Sequence, residues 1–171
     1  MIDYIEKHFR YENGNLYRTT NRGGQKIGDK VGWMTHCNGR PYWKLSMNGK
    51  TIYLHHVIFL MHHGYKPEYI DHIDGDSTNN RIENLRSATQ SQNAGNSAMS
   101  KNNTSGYKGV TYRKDTGKWN ASIMINRKHV SLGCYFTKEE AHKAYKVGSA
   151  KHFGEFARPL EASNRTMDKM G

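Results

Sequence analysis

Hydrophobic residues in the first part of the chain occur in short runs that are separated by Asn-Gly pairs. The pairs at positions 13–14, 38–39 and 48–49 supply residues that tolerate the positive φ angles of a tight type I′ turn. The third pair joins two runs, Tyr42–Met47 and Lys50–Leu54. The pattern therefore predicts β-hairpins, and we assign residues 1–54 to a β-hairpin segment.

The spacing of apolar residues changes after the hairpins. The run His56–His63 is mostly apolar and ends at Gly64, which predicts a helix with a glycine just after its end. Glu68–Ile73 predicts a short strand, and residues 74–80 form a polar loop. Residues Ile82 to about Asn93 then predict a short helix.

The second part of the chain alternates apolar and polar residues in three runs, which predicts a three-stranded meander. The runs are Tyr107–Arg113, Trp119–Ile125 and His129–Cys134. One face of this sheet is apolar and is assigned to a core, including Trp119, although base stacking is an alternative role for that residue. The other face is open to a partner and carries Lys108, Thr111, Arg113, Ser122, Met124, His129 and Ser131.

A capping box starts a helix directly after the meander. Thr137 takes the N-cap position and Glu140 the third helical position. The small residues Ala141, Ala144 and Gly148 follow at helical spacing, so the helix can pack closely on the apolar face of the sheet.

A polar stretch at 93–105 has no hydrophobic period, so it cannot bury enough surface to fix its own conformation. We place the boundary between two modules there. The predicted segments are hairpins at 1–54, a compact module at 55–96, a linker at 97–105, a second domain at 106–158 and a tail at 159–171.

The net charge of the chain indicates what kind of partner it binds. The chain has 171 residues and a net charge of +11, and its mean hydropathy is −0.92. Residues 1–98 carry 12 Lys+Arg against 9 Asp+Glu, whereas residues 99–171 carry 14 against 6, so the shorter part holds most of the positive charge. A field of this sign favours a polyanion such as double-stranded DNA.

Several other classes of protein do not fit this composition. No apolar run approaches the roughly 18 residues of a membrane span, and the first residues do not resemble a signal peptide. Cys37 and Cys134 are too few for a disulfide framework or a multi-cysteine zinc site. We therefore expect no membrane partner and a cytoplasmic location.

Candidate chemistry is concentrated in Asp71, His72, Asn84 and Asn93. Neighbouring strand residues point to opposite faces, so a carboxylate and an imidazole can act as metal ligand and proton acceptor. Oxygen ligands from Asp71 and Asn93 suit Mg²⁺ or Mn²⁺, and the ion would neutralise a phosphodiester while His72 takes a proton from water. An Asp-His pair alone is more often a turn with a satisfied histidine, but the full order is more specific.

The order of these residues resembles the HNH homing endonucleases of phages and introns, in the variant whose third motif residue is Asn. The resemblance covers about residues 50–96 and rests on His55, Ile70–Asp76, Asn79-Asn80, Glu83–Arg86 and Ser91–Asn93. It implies a ββα-metal module in which His72 is the general base and Asp71 and Asn93 hold one divalent ion. Asn84, the other member of the catalytic set, would brace the loop after His72. We interpret the loop residues Asp74, Asp76, Asn79 and Asn80 as turn residues.

The second part is similar to the plant-type AP2 DNA-binding domain over about residues 105–157. The matching segments are Ser105–Val110, Lys118–Ala121, Leu132–Phe136, Glu140–Tyr145 and Phe153–Ala157. The resemblance implies a three-stranded sheet, packed on one helix, that lies in the major groove. Residues at the DNA-contact positions are Lys108, Thr111, Arg113, Ser122, Met124 and His129, and further phosphate contacts are predicted for Lys114, Lys118, Arg127 and Lys128.

Basic residues of the hairpin segment are also candidate DNA contacts, because basic β-ribbons can lie along a DNA groove. The basic positions are Arg18, Arg22, Lys26, Lys30, Arg40, Lys44 and Lys50, and the candidate contacts chosen among them are Arg18, Arg22, Arg40 and Lys44. A solvated strand face is an equally good interpretation of any one of them.

Together these features predict an α+β chain with a ββα-metal nuclease module after β-hairpins and an AP2-like domain. The predicted function is a metal-dependent, site-specific homing-type DNA endonuclease that uses Mg²⁺ or Mn²⁺ and acts as a monomer on DNA. The resemblance implies that it leaves 5′-phosphate and 3′-hydroxyl ends and that it acts in a phage-infected host cell or on the nucleoid. One active site per chain implies that it nicks one strand. The alternative is a non-enzymatic DNA-binding regulator; the presence of Asp71, His72 and Asn93 together favours the nuclease.

Overall fold

The computed structural model describes residues 1–100 and 102–158, and its internal contacts divide the chain into two units, Met1–Thr89 and Gln90–Gly171. Small antiparallel sheets and a few helices agree with the predicted α+β class. The tail predicted at 159–171 lies outside the described residues. Among the helices of the described chain, none combines the length and the apolar character that crossing a bilayer requires.

The first unit contains a helix, two antiparallel sheets, a second helix and a strand pair. In chain order the elements are α1 (Ile2–His8), β1 (Phe9–Glu12), β2 (Asn15–Arg18), β3 (Trp33–Cys37), β4 (Arg40–Met47), β5 (Lys50–Tyr53), α2 (Leu54–His63), β6 (Tyr69–His72) and β7 (Leu85–Ala88). Strand β1 pairs with β2, strands β3, β4 and β5 form one sheet in that order, and β6 pairs with β7.

The three predicted Asn-Gly turns are confirmed. Asn13, Asn38 and Asn48 have φ angles of 48°, 51° and 51°, and the glycine after each is also at positive φ. These angles are the ones that a type I′ hairpin needs, so three local sequence signals determine β1–β2, β3–β4 and β4–β5.

Helix α2 supplies much of the core of the first unit. It buries Leu54, Val57, Ile58 and Phe59 against side chains such as Leu16 and Leu45. Burying each of these large side chains contributes roughly 1.5–3 kcal/mol. The helix ends at Gly64 with φ 75°, as the sequence predicted.

The helix predicted from Ile82 to Asn93 is wrong. Ile82–Asn84 form a short 3-10 turn, Leu85–Ala88 form β7, and a separate helix begins at Gln90. Leu85 and Ala88 are three residues apart, which resembles helical spacing, but both are buried in a strand that pairs with β6. Tertiary pairing overrides the local pattern here.

The second unit contains a short helix, a three-stranded sheet and a longer helix. The elements are α3 (Gln90–Gly95), β8 (Val110–Arg113), β9 (Lys118–Ile125), β10 (Lys128–Tyr135) and α4 (Lys138–Phe153). The sheet order is β10-β9-β8, so the predicted meander is confirmed. The predicted capping box is also present, because the Glu140 backbone N–H donates to Thr137 Oγ1 at 3.2 Å and the Thr137 N–H donates to the Glu140 carboxylate at 3.1 Å.

Helix α4 covers the middle of this sheet and leaves its edges exposed. Val110, Ala121 and Ile123 are buried, whereas Tyr112 on one edge strand and Val130 on the other are 51% and 37% exposed. Trp119 is half-buried, with its ring 5.0 Å from that of Tyr112. The apolar face that the sequence predicted is therefore buried only where α4 covers it, and its edges are exposed.

The described part of the predicted linker 97–105 is hydrogen-bonded. Asn103 Oδ1 accepts from the Gly106 N–H at 2.8 Å, and its amide donates to the Tyr107 carbonyl at 2.9 Å. Ser105 is buried. The division between units falls before α3, at Thr89 and Gln90, so the described residues of 97–105 lie within the second unit and not between the two units.

Candidate active site

The strand pair β6–β7 carries the two central residues of the site. Asp71 and His72 are adjacent on β6 and only 3% and 8% exposed. Pairing places Asp71 opposite Arg86 and His72 opposite Leu85. Two polar side chains are thus held in a largely buried position by backbone pairing, which fixes their directions.

Asn84 braces the loop that follows His72. Its amide donates to Asp74 Oδ1 at 2.9 Å and to the Asn79 carbonyl at 2.8 Å, and its Oδ1 accepts from the Asp74 N–H at 3.0 Å. Burial alone would raise the pKa of Asp74, but hydrogen bonds from Asn79, the Asp76 backbone and Asn84 outweigh it and lower that pKa. The sequence predicted that Asn84 lies close to the loop after His72, and in the structure Asn84 is bonded to that loop.

Asn80 is a site residue that the sequence reasoning missed, because we interpreted it as a turn residue. It is 2% exposed, and its Oδ1 lies 3.2 Å from His72 Nε2. This contact between two buried side chains holds the imidazole in place.

Burial also keeps His72 neutral. It lowers the pKa of the imidazole, while the hydrogen bond to Asn80 and the negative charges of Asp74, Asp71 and Asp76 act in the opposite direction and do not cancel the effect. A histidine with a lowered pKa is in its basic form at pH 7. This is the state that a general base requires.

Two further histidines lie beside His72. The ring of His55 is 5.0 Å from that of His72 and 4.7 Å from that of His56. His55 is 6% exposed, and burial, followed by the charges of His72 and His56, lowers its pKa well below the ordinary range. Among the described residues, no partner lies within hydrogen-bond reach of Nδ1 of His55 or of His56.

Arg86 contacts the candidate metal ligand Asp71. Its Nε and Nη2 lie 2.9 Å and 2.8 Å from Asp71 Oδ2. The sequence reasoning missed this pair because the register that places Arg86 opposite Asp71 depends on β7, which was predicted as helix. Arg86 orients the carboxylate that the site would offer to a cation.

The donor chemistry of the predicted metal ligands fits a hard divalent cation. Asp71 offers a carboxylate and Asn93 an amide oxygen, which suit Mg²⁺ or Mn²⁺. Asn93 lies half-buried on α3 and belongs to the second unit. The part of the chain that the structure describes holds no group of three or more His, Cys, Asp or Glu side chains that could bind a metal.

The open face of the second sheet brings most of the predicted DNA contacts together. Pairing places Thr111 opposite Asn120, Arg113 opposite Lys118 and His129 opposite Met124. The exposed members of the predicted set are Thr111, Arg113, Lys114, Met124, Arg127, Lys128 and His129, and the half-buried members are Lys118 and Ser122. Arg113 forms an exposed ion pair with Asp115 at 2.6 Å.

Lys108, one of the predicted DNA contacts, is half-buried and forms hydrogen bonds within the second unit. Its ammonium donates to the carbonyls of Gly95 and Ser97 at 2.7 and 2.6 Å, at the C-terminal end of α3. A cation at this end of a helix stabilises its unpaired carbonyls. At the other end of α3, Arg127 Nε donates to Gln90 Oε1 at 3.1 Å.

Arg18, one of the predicted DNA contacts, is buried in the first unit. Arg18 is 7% exposed, its guanidinium donates twice to Gln25 Oε1, and it lies over the ring of Phe9. It therefore joins β2 to the following loop and does not face solvent. Arg22 and Arg40 are exposed, and Lys44 is half-buried with its Nζ 4.6 Å from the centre of the Tyr53 ring.

A buried Asp-His pair on a strand, with a braced polar loop and a neutral imidazole, defines a site suited to general-base hydrolysis. A sequence profile described as HNH endonuclease matches residues 52–95. Protein 3.8 of Escherichia phage T7 is 34% identical over 93 residues, which are 54% of this chain and 76% of the phage protein.

A second relative is described as the uncharacterized HNH endonuclease L560 of Acanthamoeba polyphaga mimivirus. It is 33% identical over 136 residues, which are 78% of this chain and 68% of the viral protein. No solved structure matches the chain. The chain belongs to the HNH endonuclease family.

Proposed function

We propose that this protein is a metal-dependent, site-specific DNA endonuclease of the homing type, with His72 as the general base. The observation that carries the proposal is the buried contact between His72 Nε2 and Asn80 Oδ1, which holds in place a histidine whose pKa is lowered by burial. Family membership makes a phosphodiester in DNA the natural substrate.

The reaction is a hydrolysis in which His72 removes a proton from water. The water oxygen bonds to phosphorus, the bond from phosphorus to O3′ breaks, and O3′ leaves with a proton, so the products carry 5′-phosphate and 3′-hydroxyl ends. Asn80 and Asn84 keep the imidazole and its loop in place. One such site per chain cuts one strand in each event.

Asp71 and Asn93 are the residues that would hold the divalent ion, Mg²⁺ or Mn²⁺. When bound, the ion supplies positive charge for the phosphodiester and for the leaving O3′. The assignment is supported by the oxygen chemistry of both side chains and by the family match at 52–95, which includes Asn93. The strand, strand, helix order of β6, β7 and α3 supports a ββα-metal module within residues 55–96.

The second unit is the docking module in this proposal, and it resembles an AP2 domain. The meander with α4 on one face and cations on the other supports this role. Positively charged side chains such as Arg113, Lys114 and Lys128 would bind phosphates of double-stranded DNA, with the protein acting as a monomer. The hairpins of residues 1–54 contribute further contacts.

The proposal is tested by incubating the protein with supercoiled plasmid and with genomic DNA from the source, in Mg²⁺ or Mn²⁺ and in EDTA. We expect metal-dependent cuts whose ends are ligatable, showing a 5′-phosphate. His72→Ala removes the base and should abolish cutting, whereas the exposed His152 on α4 provides a matched His152→Ala control. A protein that binds both DNAs but cuts neither with either ion would be a DNA-binding regulator instead.

A further inference from the structure

A long stretch of the first unit contains no acidic residue. Between Asp29 and Glu68 the chain has no Asp or Glu, but it has five cations, Lys30, Arg40, Lys44, Lys50 and Lys66. This stretch forms strands β3 to β5 and helix α2. No acidic residue within the stretch offsets these cations, and this excess of positive charge favours a polyanion.

The strands of this stretch have two different faces. Leu45 and Met47 on β4 are buried and face the core of the unit. The alternate residues of β4, including Tyr42 and Lys44, lie on the opposite face. Lys44 pairs directly with Trp33 on one side and with Tyr53 on the other, so these three residues form a row across the sheet.

We name the face opposite Leu45 the aromatic-basic face, and its members are Trp33, Arg40, Tyr42, Lys44 and Tyr53. Trp33 is 46% exposed and Arg40 is exposed. The rings of Tyr42 and Tyr53 lie 5.3 Å apart. Cations and aromatic rings on one surface are the combination that binds the sugar–phosphate backbone and stacks on sugars or bases.

This face continues to the candidate general base. The rings of Tyr53 and His55 are stacked with centroids 5.3 Å apart, and the His55 ring is 5.0 Å from that of His72. Ser77 of the loop after His72 also donates to the Pro41 carbonyl of β4 at 2.6 Å. A strand of DNA that lies on this face therefore lies close to His55 and His72 of the candidate active site.

We propose that the aromatic-basic face receives the DNA strand that is cut, with phosphates on Arg40 and Lys44 and a sugar or base packed against Trp33. The choice of DNA as occupant rests on the proposed function and on the charge of residues 30–67. The sequence reasoning included Arg40 and Lys44 but not the aromatic residues, because the faces follow from strand register.

The direct test is lysine footprinting of the full chain carrying His72→Ala, the variant in which we expect cleavage to be slowest. The protein is acetylated with and without sheared double-stranded DNA, and modification of each lysine is measured by mass spectrometry. Lys44 should react severalfold more slowly with DNA, whereas exposed Lys50, which pairs with Met47 on the core-facing side, should react equally. Equal reactivity of Lys44 with and without DNA would overturn the proposal, whether or not wild-type protein cuts DNA.

Kinetics provide a second test that does not depend on chemical modification. Trp33→Ala and Lys44→Gln should each raise KM severalfold with little change in kcat, since they remove contacts with DNA and leave His72 intact. Met34 is 48% exposed on the opposite face beside Trp33, so Met34→Ala and Lys50→Gln are the matched controls. Equal KM values for the two pairs would contradict the assignment of the face.

Discussion

The candidate active site of the first unit and the open sheet face of the second unit place their polar side chains in opposite environments. Asp71, His72, Asn80 and Asn84 are all buried and hydrogen-bonded to specific partners. On the second sheet, Arg113, Lys128 and their neighbours are exposed. Removing a buried polar side chain lowers the free energy of unfolding, because its hydrogen-bond partner stays buried and unsatisfied. Exposed cations each add a similar small amount to the affinity for a polyanion.

This contrast predicts that single substitutions divide into two kinds. Changes in the first region should abolish chemistry or stability, and changes on the second sheet should weaken DNA binding by small steps. The expected effects decrease in the order His72, Asn84, His55 and Lys128.

His72→Ala should have the largest effect. Removing a general base lowers the rate by about 10²- to 10⁴-fold. DNA binding, measured by fluorescence anisotropy, should stay within about twofold of wild type, since the docking cations are untouched. A comparable loss of binding and cleavage would show that His72 contacts DNA or stabilises the fold. It would contradict the distinction between a catalytic site and a separate DNA-binding surface.

Asn84→Ala should lower the free energy of unfolding by about 2–3 kcal/mol, because the loop loses three hydrogen bonds and buried partners stay unsatisfied. Urea denaturation measures the loss. The exposed Asn102 provides a control, and Asn102→Ala should change stability by less than about 0.5 kcal/mol. Equal stability of both variants would mean that Asn84 does not brace the loop.

Acidification should destabilise the protein through its buried histidines. Burial lowers the pKa of His55, His56 and His72 in the folded state, so the unfolded chain binds more protons as pH falls through the ordinary histidine pKa of 6.5. Their contribution to stability is complete well above pH 6.5 and is lost progressively below it. Urea denaturation from about pH 7.5 to 5 should show this, and His55→Gln should flatten the curve. An unchanged slope in that variant would contradict the burial of His55.

Lys128→Gln should give the smallest effect. Loss of one phosphate contact weakens binding uniformly across DNA sequences and reduces the salt slope of log K by about 1. Lys146 is exposed on α4, which packs on the other face of the sheet, so Lys146→Gln is the matched control. If the two variants bind DNA alike, the open face is not the docking surface.

Local signals account for most of the fold that was predicted. Each Asn-Gly turn and the Thr137–Glu140 capping box act within four residues, so the sequence alone predicts them. Strand β7 depends on pairing with β6, which lies far along the chain, and it was predicted as helix. The spacing of apolar residues within one segment does not show whether another strand is available to pair with it, so the helical spacing of Leu85 and Ala88 was misleading.

The same distinction holds for the site. Asp71, His72 and Asn84 were chosen from their order in the sequence, and the structure brings them together. Asn80 and Arg86 were missed because their roles depend on how the loop folds over His72 and on strand register. Arg18 and Lys108 were predicted to contact DNA because they are positively charged. Their hydrogen bonds to Gln25 and to the end of α3 depend on the fold, so the sequence alone does not predict them.

The central claim is that the general base lies in the first unit, whereas exposed cations of the second unit contribute to DNA affinity and not to the chemical step. It is tested most directly by measuring cleavage and binding on the same DNA for His72→Ala and for the variant Arg113→Gln with Lys128→Gln. We predict that the first binds like wild type without cutting, and that the second cuts at the wild-type rate when DNA is saturating but binds with a raised Kd. Metal-dependent cutting by His72→Ala at the wild-type rate would contradict the account.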